Sequence, residues 1–225
     1  MKCDLHCHTS YSYDSTTPPP EMVEAAIKKG IDCLAVTDHN EIRGALEAIE
    51  YAKDKSILII PGIEIKSKEG DILGLNIEKI IPKGLSARET IKEIREMGGL
   101  AIIPHPFGWF CSFRGNLEIL MPEIDGIEVF NASLFSGNKK ALAFTQKFNL
   151  PITADSDAHS PNFVGRTYLE IPGKNLSLEE VLEKIKKREG KIGGSEANFF
   201  EKIIDHTKRN LAKLKMFKQM FKLRG

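Results

Sequence analysis

The chain has 225 residues, 41% of them hydrophobic and 28% charged, with a net charge of +1. A chain of this length buries roughly 70% or more of its unfolded surface, so it needs no staples to fold. No window approaches about 18 uninterrupted apolar residues and MKCDLHCH lacks the apolar core of an export signal, so the expectation is a cytoplasmic protein with no membrane span.

Short apolar runs alternate with helix-length amphipathic stretches. KCDLHCH reads as a first strand, in which residues two apart share a face; His6 and His8 are predicted to point one way, Leu5 and Cys7 the other. PEMVEAAIKKG follows as a helix, bounded by Pro near its start and Gly just past its end. IDCLAVTDHN is a strand, EIRGALEAIEYAKD a helix, SILIIPGIEI a strand and DILGLNI another. SARETIKEIREMGG is a helix, then come LAIIPHP, DGIEVFN, the helical NKKALAFTQKFN, LPITADSDAH, the strand TYLEI and the helix LSLEEVLEKIKKREG. Cys3, Cys7, Cys33 and Cys111 show no paired spacing, which predicts buried reduced thiols rather than disulfides.

Strand and helix taking turns predict an α/β fold with a mostly parallel sheet, and about seven such units suit a compact barrel better than an open sheet. The polar residues His6, His8, Asp38, His39, Glu64, His105, Glu128, Asp157 and His159 all fall at or just after predicted strand ends. In a parallel barrel those ends converge on one face, where active sites are assembled. A single strand-end histidine is more often a hydrogen-bonded structural residue than a ligand. Here five of the six histidines occupy such ends, beside carboxylates, and only His206 lies elsewhere. Imidazoles and carboxylates crowded into a low-dielectric mouth need pairing, and divalent cations would satisfy them together.

DLHCHTSYSYDS, TDHN, PGIE, PHP and DSDAH resemble, in order, the successive motifs of the polymerase and histidinol phosphatase (PHP) superfamily of metal-dependent phosphoesterases, over residues 1 to about 190. The resemblance implies a distorted, TIM-like (β/α)7 barrel over residues 1–195, with metals at the C-terminal ends of its strands and residues 196–225 appended as a basic helix. It implies two or three divalent ions, zinc, manganese or iron. His6, His8, Glu64 and Asp157 would hold the first; Glu64 would bridge to a second with His105; Asp14, His39 and His159 would hold a third. Two positions depart from the pattern. Many members carry the acid of SYDS one residue earlier, where this chain has Tyr13, and many carry a histidine where EGDILGLN has Asp71. A carboxylate at 71 can still ligate, with a shift toward harder metals such as manganese.

Asp38 and Asp155 are expected to orient His39 and the DSDAH loop from behind, the alternative for each being a strand or turn cap, and Glu128 and Asn131 to support the site. Metals a few ångströms apart can activate a shared water and clamp an in-line displacement at phosphorus, with a metal-bound water, His39 or His159 as proton donor to the leaving group. No G-x-S-x-G elbow or glycine-rich phosphate loop is present. Arg166 and Arg114 are the candidate phosphate contacts, each weighed against a surface ion pair or exposed position. Phe107, Trp109, Phe110 and Phe113 could stack a substrate ring or pack together as a lid. Only 41 positions separate Glu64 from His105, leaving no room for an inserted subdomain.

The expected substrate is a phosphorylated small molecule or a nucleotide, with nucleic acid open and no oligomeric state indicated. Residues 199–225 carry eight Lys or Arg against two acids, and apolar residues at 200, 203, 204, 211, 214, 217 and 221 mark an amphipathic helix whose apolar stripe is expected to pack on its own domain or on a second subunit, with the lysines solvated. Two other readings stand beside phosphoester hydrolysis: a non-catalytic module of the same fold, and an amidohydrolase-like C–N hydrolase, which Glu64 argues against.

Overall fold

A computed structural model describes residues 1–109 and 111–222, with side chains of the last helix described to residue 218; expectations that rest on Phe110, the Phe221 side chain and Arg224 lie outside the described residues. Strands β1 (Lys2–Cys7), β2 (Cys33–Val36), β3 (Leu58–Lys66), β4 (Asp71–Leu75), β5 (Leu100–Ile103), β6 (Gly126–Asn131) and β7 (Ile152–Asp155) curve into an α/β barrel, as expected, and β8 (Thr167–Glu170) and β9 (Lys191–Gly194) extend the sheet beyond β1. The barrel nearly closes where β7 meets β1: Cys7 bridges Ala158 in parallel, and the Leu5 amide donates to Asp155 Oδ1 at 2.9 Å.

The sheet is less parallel than the alternation of elements predicts. β1–β2, β2–β3, β5–β6 and β6–β7 are parallel, but β4 runs against both its neighbours and β8 runs against β1 and β9. Only residues 67–70 join β3 to β4, far short of the dozen or so that a parallel crossover takes, so the pair is a hairpin.

Helices α1 (Pro19–Lys28), α2 (Arg43–Ala52), α3 (Ala87–Glu96), α4 (Leu117–Leu120), α5 (Asn138–Phe148), α6 (Leu178–Lys186) and α7 (Phe199–Lys222) complete the chain. Capping boxes start α3, through Ser86 and Glu89, and α6, through Ser177 and Glu180. The strands alternate between two apolar clusters. Cys3, Leu5, Ala35, Ile60, Leu73, Leu75 and Ile102 gather inside the barrel, joined by Val181, Leu182 and Ile185 of α6. Leu34, Ile63, Ile65, Ile72, Ile103 and Val129 face outward among helix residues such as Met22, Ile91 and Ile94.

Leu5 and Cys7 do not share a face. The β1–β2 register shifts between Asp4 and Cys7, so Cys7 packs in the outer cluster with Met22 and Val23 while Leu5 stays inside. All four cysteines are free thiols. The short α4 and β9 had no sequence counterpart, since LEIL and KIGG are too short or too glycine-rich to carry a period.

The apolar stripe of the last helix does not pack on its own barrel. Among the described residues its buried side chains are Lys202, Asp205, Arg209 and Ala212, whereas Phe200, Ile203, Ile204, Leu211, Leu214 and Phe217 are exposed. The polar face turns inward because it finds charged partners: Lys202 donates to the Leu134 carbonyl and to Glu196, and Arg209 reaches Asp157. Among the described residues, no helix is long and apolar enough to cross a membrane.

Candidate metal centre

Glu64, at the end of β3, stands at the middle of the barrel mouth and is almost fully buried. Its Oε2 lies 2.9 Å from His39 Nδ1, 3.2 Å from His8 Nε2 and 3.5 Å from His6 Nε2, while its Oε1 lies 3.0 Å from His105 Nε2. One carboxylate thus touches four imidazoles drawn from the ends of three strands, β1, β2 and β5. Asp157 Oδ1 lies 3.4 Å from His8 Nε2, 3.6 Å from His6 Nε2 and 3.5 Å from His159 Nδ1. On the third side, the Asp14 oxygens face His39 Nε2 and His159 Nε2, each at 3.3 Å.

These contacts resolve into three overlapping groups whose ligand atoms lie within 4.8 Å of one another: His6, His8 and Asp157; His6, Glu64 and His105; and His8, Asp14, His39 and His159. The donor set suits divalent cations. Asp14 Oδ1 and His159 Nε2 are buried with no hydrogen-bond partner, and a cation between them would satisfy both. His105, at φ +33°, and Asp157, at φ +49°, adopt left-handed backbone that non-glycine residues rarely take, the sort of strain that collects at functional sites.

The charges of the cluster act on one another strongly. Burial alone would lower the His39 pKa, but the Glu64 and Asp14 charges raise it to about 10. His6 and His105 also rise against burial, His6 chiefly through Asp157 and Glu64. Glu64 and Asp157 fall well below the usual carboxylate range despite burial, Glu64 through His39 and His6, Asp157 through Arg209 and His6. His159 goes the other way, to about 4, because burial and the nearby Arg209 both disfavour its charge.

Residues 4–121 match the PHP domain family, and residues 135–189 match the PHP-associated segment. The chain belongs to the PHP domain family. Over 142 residues, 59% of this chain and 82% of the relative, it is 45% identical to an uncharacterized protein of Methanocaldococcus jannaschii. It is 39% identical over 105 residues to the 5'-3' exoribonuclease of Haemophilus influenzae, a match spanning 45% of this chain and 38% of the enzyme. Among solved structures, a two-domain protein of Bacteroides vulgatus described as containing a PHP-like metal-dependent phosphoesterase superposes with a TM-score of 0.73 at 23% identity, over 86% of this chain and 64% of that one.

Within this PHP domain the supporting residues divide. Glu128, on β6, accepts from His6 Nδ1 at 3.1 Å, from the His105 amide at 2.7 Å and from Asn131 Nδ2 at 3.0 Å, so Glu128 and Asn131 back the centre from behind. Asp38 does not reach the His39 ring. It accepts from the Thr9 amide and hydroxyl at 2.6 and 2.7 Å and fixes the loop after β1. Asp155 binds the Leu5 amide and closes the barrel rather than touching a histidine.

Asp71 sits at the rim and belongs to none of the three groups. Its Oδ2 is 3.0 Å from Lys66 Nζ, its Oδ1 is buried without a partner, and burial with the nearby Glu64 charge raises its pKa. Neither candidate phosphate arginine reaches the centre. Arg166 pairs with Glu201 of α7, and Arg114 is exposed, its amide bound to the Glu69 carbonyl. Of the aromatic loop, Phe113 is buried and Phe107 packs on Phe144, while Trp109 is exposed.

Sequence reasoning missed four contributors. Ser12 meets His8 Nδ1 at 3.0 Å, and Ser133 donates to Asp157 Oδ2 at 3.0 Å. Tyr13 stacks on His39 with ring centres 4.7 Å apart. The fourth is Arg209, whose guanidinium donates to the Asp157 carbonyl at 2.8 Å from a helix outside both matched segments. Its i, i+4 spacing from Asp205 was the one available signal, and it was masked by the apolar stripe.

Proposed function

We propose that this chain is a metal-dependent phosphoesterase that hydrolyses a phosphomonoester, or a nucleotide or oligonucleotide phosphate, with water as the nucleophile. The observation that carries the reading is Glu64, one buried carboxylate shared by four imidazoles. The exoribonuclease of Haemophilus influenzae among the relatives supports including nucleic-acid ends among the substrates.

In this reading His6, His8, Glu64 and Asp157 hold one divalent ion; Glu64 and His105, with Asp71 at the rim, hold a second; Asp14, His39 and His159 hold a third. Zinc, manganese and iron all suit such mixed nitrogen and oxygen donors. When bound, such ions acidify water and neutralise charge on phosphoryl oxygens. The protein's own part is to fix these donors and to admit the ester. Asp14 and His159 open onto a hollow of about 340 Å³ that Lys208, Arg209 and Lys215 also line. Glu21 and Asp205 line the same hollow, so Lys208 and Lys215 are the cations there left to attract an anionic ester. His159 lines this opening and His39 lies on the other side of Asp14, each Nε2 3.3 Å from its carboxylate. With the third ion absent, His39, whose pKa is raised to about 10, is the imidazole placed to hand a proton to the departing alkoxide, whereas His159, lowered to about 4, is neutral there. Tyr13, stacked on His39, limits how that ring can turn. The free, mostly buried thiols fit a cytoplasmic location.

Metal analysis of protein purified without chelators, followed by an aryl phosphate assay with manganese, tests the proposal. Two or more ions per chain with phosphate release supports it. Less than about one ion and no turnover would favour a non-catalytic module, and hydrolysis of amides but not phosphates a C–N hydrolase.

A further inference from the structure

Asp157 meets the other donors through one oxygen only. Oδ1 faces His6, His8 and His159, whereas Oδ2 is held from the opposite side by Ser133 Oγ at 3.0 Å and Arg209 Nη1 at 3.4 Å. Arg209 Nη2 also donates to the Asp157 carbonyl at 2.8 Å, which ties down the residue whose backbone is left-handed. The guanidinium is itself fixed, since its Nε donates to Asp205 Oδ2 at 2.6 Å and both side chains are buried. None of these α7 residues lies in the segments that match the PHP family, so the brace reaches the barrel from outside them.

We propose that Arg209 is a positioning residue for Asp157, holding its carboxylate so that Oδ1 alone is turned toward the histidines, and that α7 is thereby a working part of the centre. The inference rests on the metal-binding reading above. Charge alone would give Arg209 the opposite effect. A guanidinium beside a ligand carboxylate repels a metal cation, so removing it should tighten metal binding if electrostatics dominated. Asp205, at 2.6 Å, offsets that charge and leaves geometry as the main contribution of the pair.

The test is calorimetric titration of manganese into the metal-stripped, full-length chain. Arg209→Met is expected to weaken the tightest site by about tenfold or more, as for other groups that orient metal ligands. Arg209→Lys, which keeps the charge but cannot hold both the carbonyl and Oδ2, is expected to weaken it nearly as much. Wild-type or tighter binding in both variants would overturn the proposal, and so would full rescue by lysine, which would show that the two-point hold on Asp157 is not needed. Circular dichroism of the metal-free variants checks that they fold. Should neither fold, Asp205→Ala frees the guanidinium from its anchor, and unchanged affinity there would overturn the proposal equally. Failure of the underlying reading looks different, because wild type itself would then bind no manganese.

Discussion

His6 and His8 face each other Nε2 to Nε2 at 3.0 Å. His6 Nδ1 is committed to Glu128 Oε1 at 3.1 Å, which makes that nitrogen the donor and leaves Nε2 with its lone pair in the neutral ring. His8 Nδ1 meets Ser12 Oγ, which has a second lone pair to accept from it while also accepting from the His39 amide, so the tautomer with the proton on Nδ1 is open to His8 as well. Two lone pairs then aim at one point, a geometry a cation relieves. Glu128→Gln should therefore lower metal affinity by about 10–100-fold, because an amide in that place accepts the His6 proton more weakly. Affinity within about twofold of wild type, in a chelator competition, would show that Glu128 does not set the His6 tautomer.

Loading the centre should release protons. In the cation-free chain the His39 pKa rises to about 10, and His6 and His105 also lie above the ordinary imidazole value. Metal binding needs the neutral rings. At pH 7–8, below the raised folded value, His39 holds its proton and must surrender it, so apparent affinity climbs as pH rises toward 10. The same shift makes the cation-free fold most favoured by His39 below the unfolded value near 6.5, with that contribution lost as pH passes through about 10. Calorimetric binding heats measured in buffers of different ionisation enthalpy should reveal at least about one proton released per chain. Heats that do not depend on the buffer would contradict this.

Gly44 marks how tightly the loop after β1 is held. A Cβ there would lie 1.9 Å from Asp38 Oδ2 and 2.5 Å from Thr9 Oγ1, the two groups that hydrogen-bond to fix that loop. Gly44→Ala should cost about 1–3 kcal/mol through overpacking. Thermal unfolding should then shift down by roughly 2–10 °C. An unshifted midpoint would mean that Asp38 has freedom to move aside.

Arg166, bound to Glu201, should not matter for phosphate. Both side chains are partly exposed, and such a pair contributes about 0–1 kcal/mol. Arg166→Gln is expected to leave KM for an aryl phosphate within about twofold of wild type. A tenfold rise would place Arg166 at the substrate after all.

What could be read in the sequence was whatever local period and strand-end position encode. The six longer helices predicted from pattern all form, α3 and α6 with capping boxes of their own. The polar residues at the ends of β1, β3 and β7 meet because barrel topology forces those ends together. Three features were not legible. The register shift in β1, which separates Leu5 from Cys7, depends on pairing with β2. The inward polar face of α7 depends on Asp157 and Leu134 being where they are, and no period within residues 199–222 reports that. The pairing of Arg166 was hidden for the same reason: proximity to DSDAH in sequence said nothing of Glu201, 35 residues on.

The sharpest test is Glu64→Gln, assayed for metal content by atomic emission and for aryl phosphate hydrolysis on the same preparation. Glutamine keeps the size of Glu64 but removes the charge on which four imidazoles converge. The account predicts that at least one ion per chain is lost and that turnover falls by about 10²-fold or more. A variant that keeps wild-type metal content and wild-type rate would contradict it.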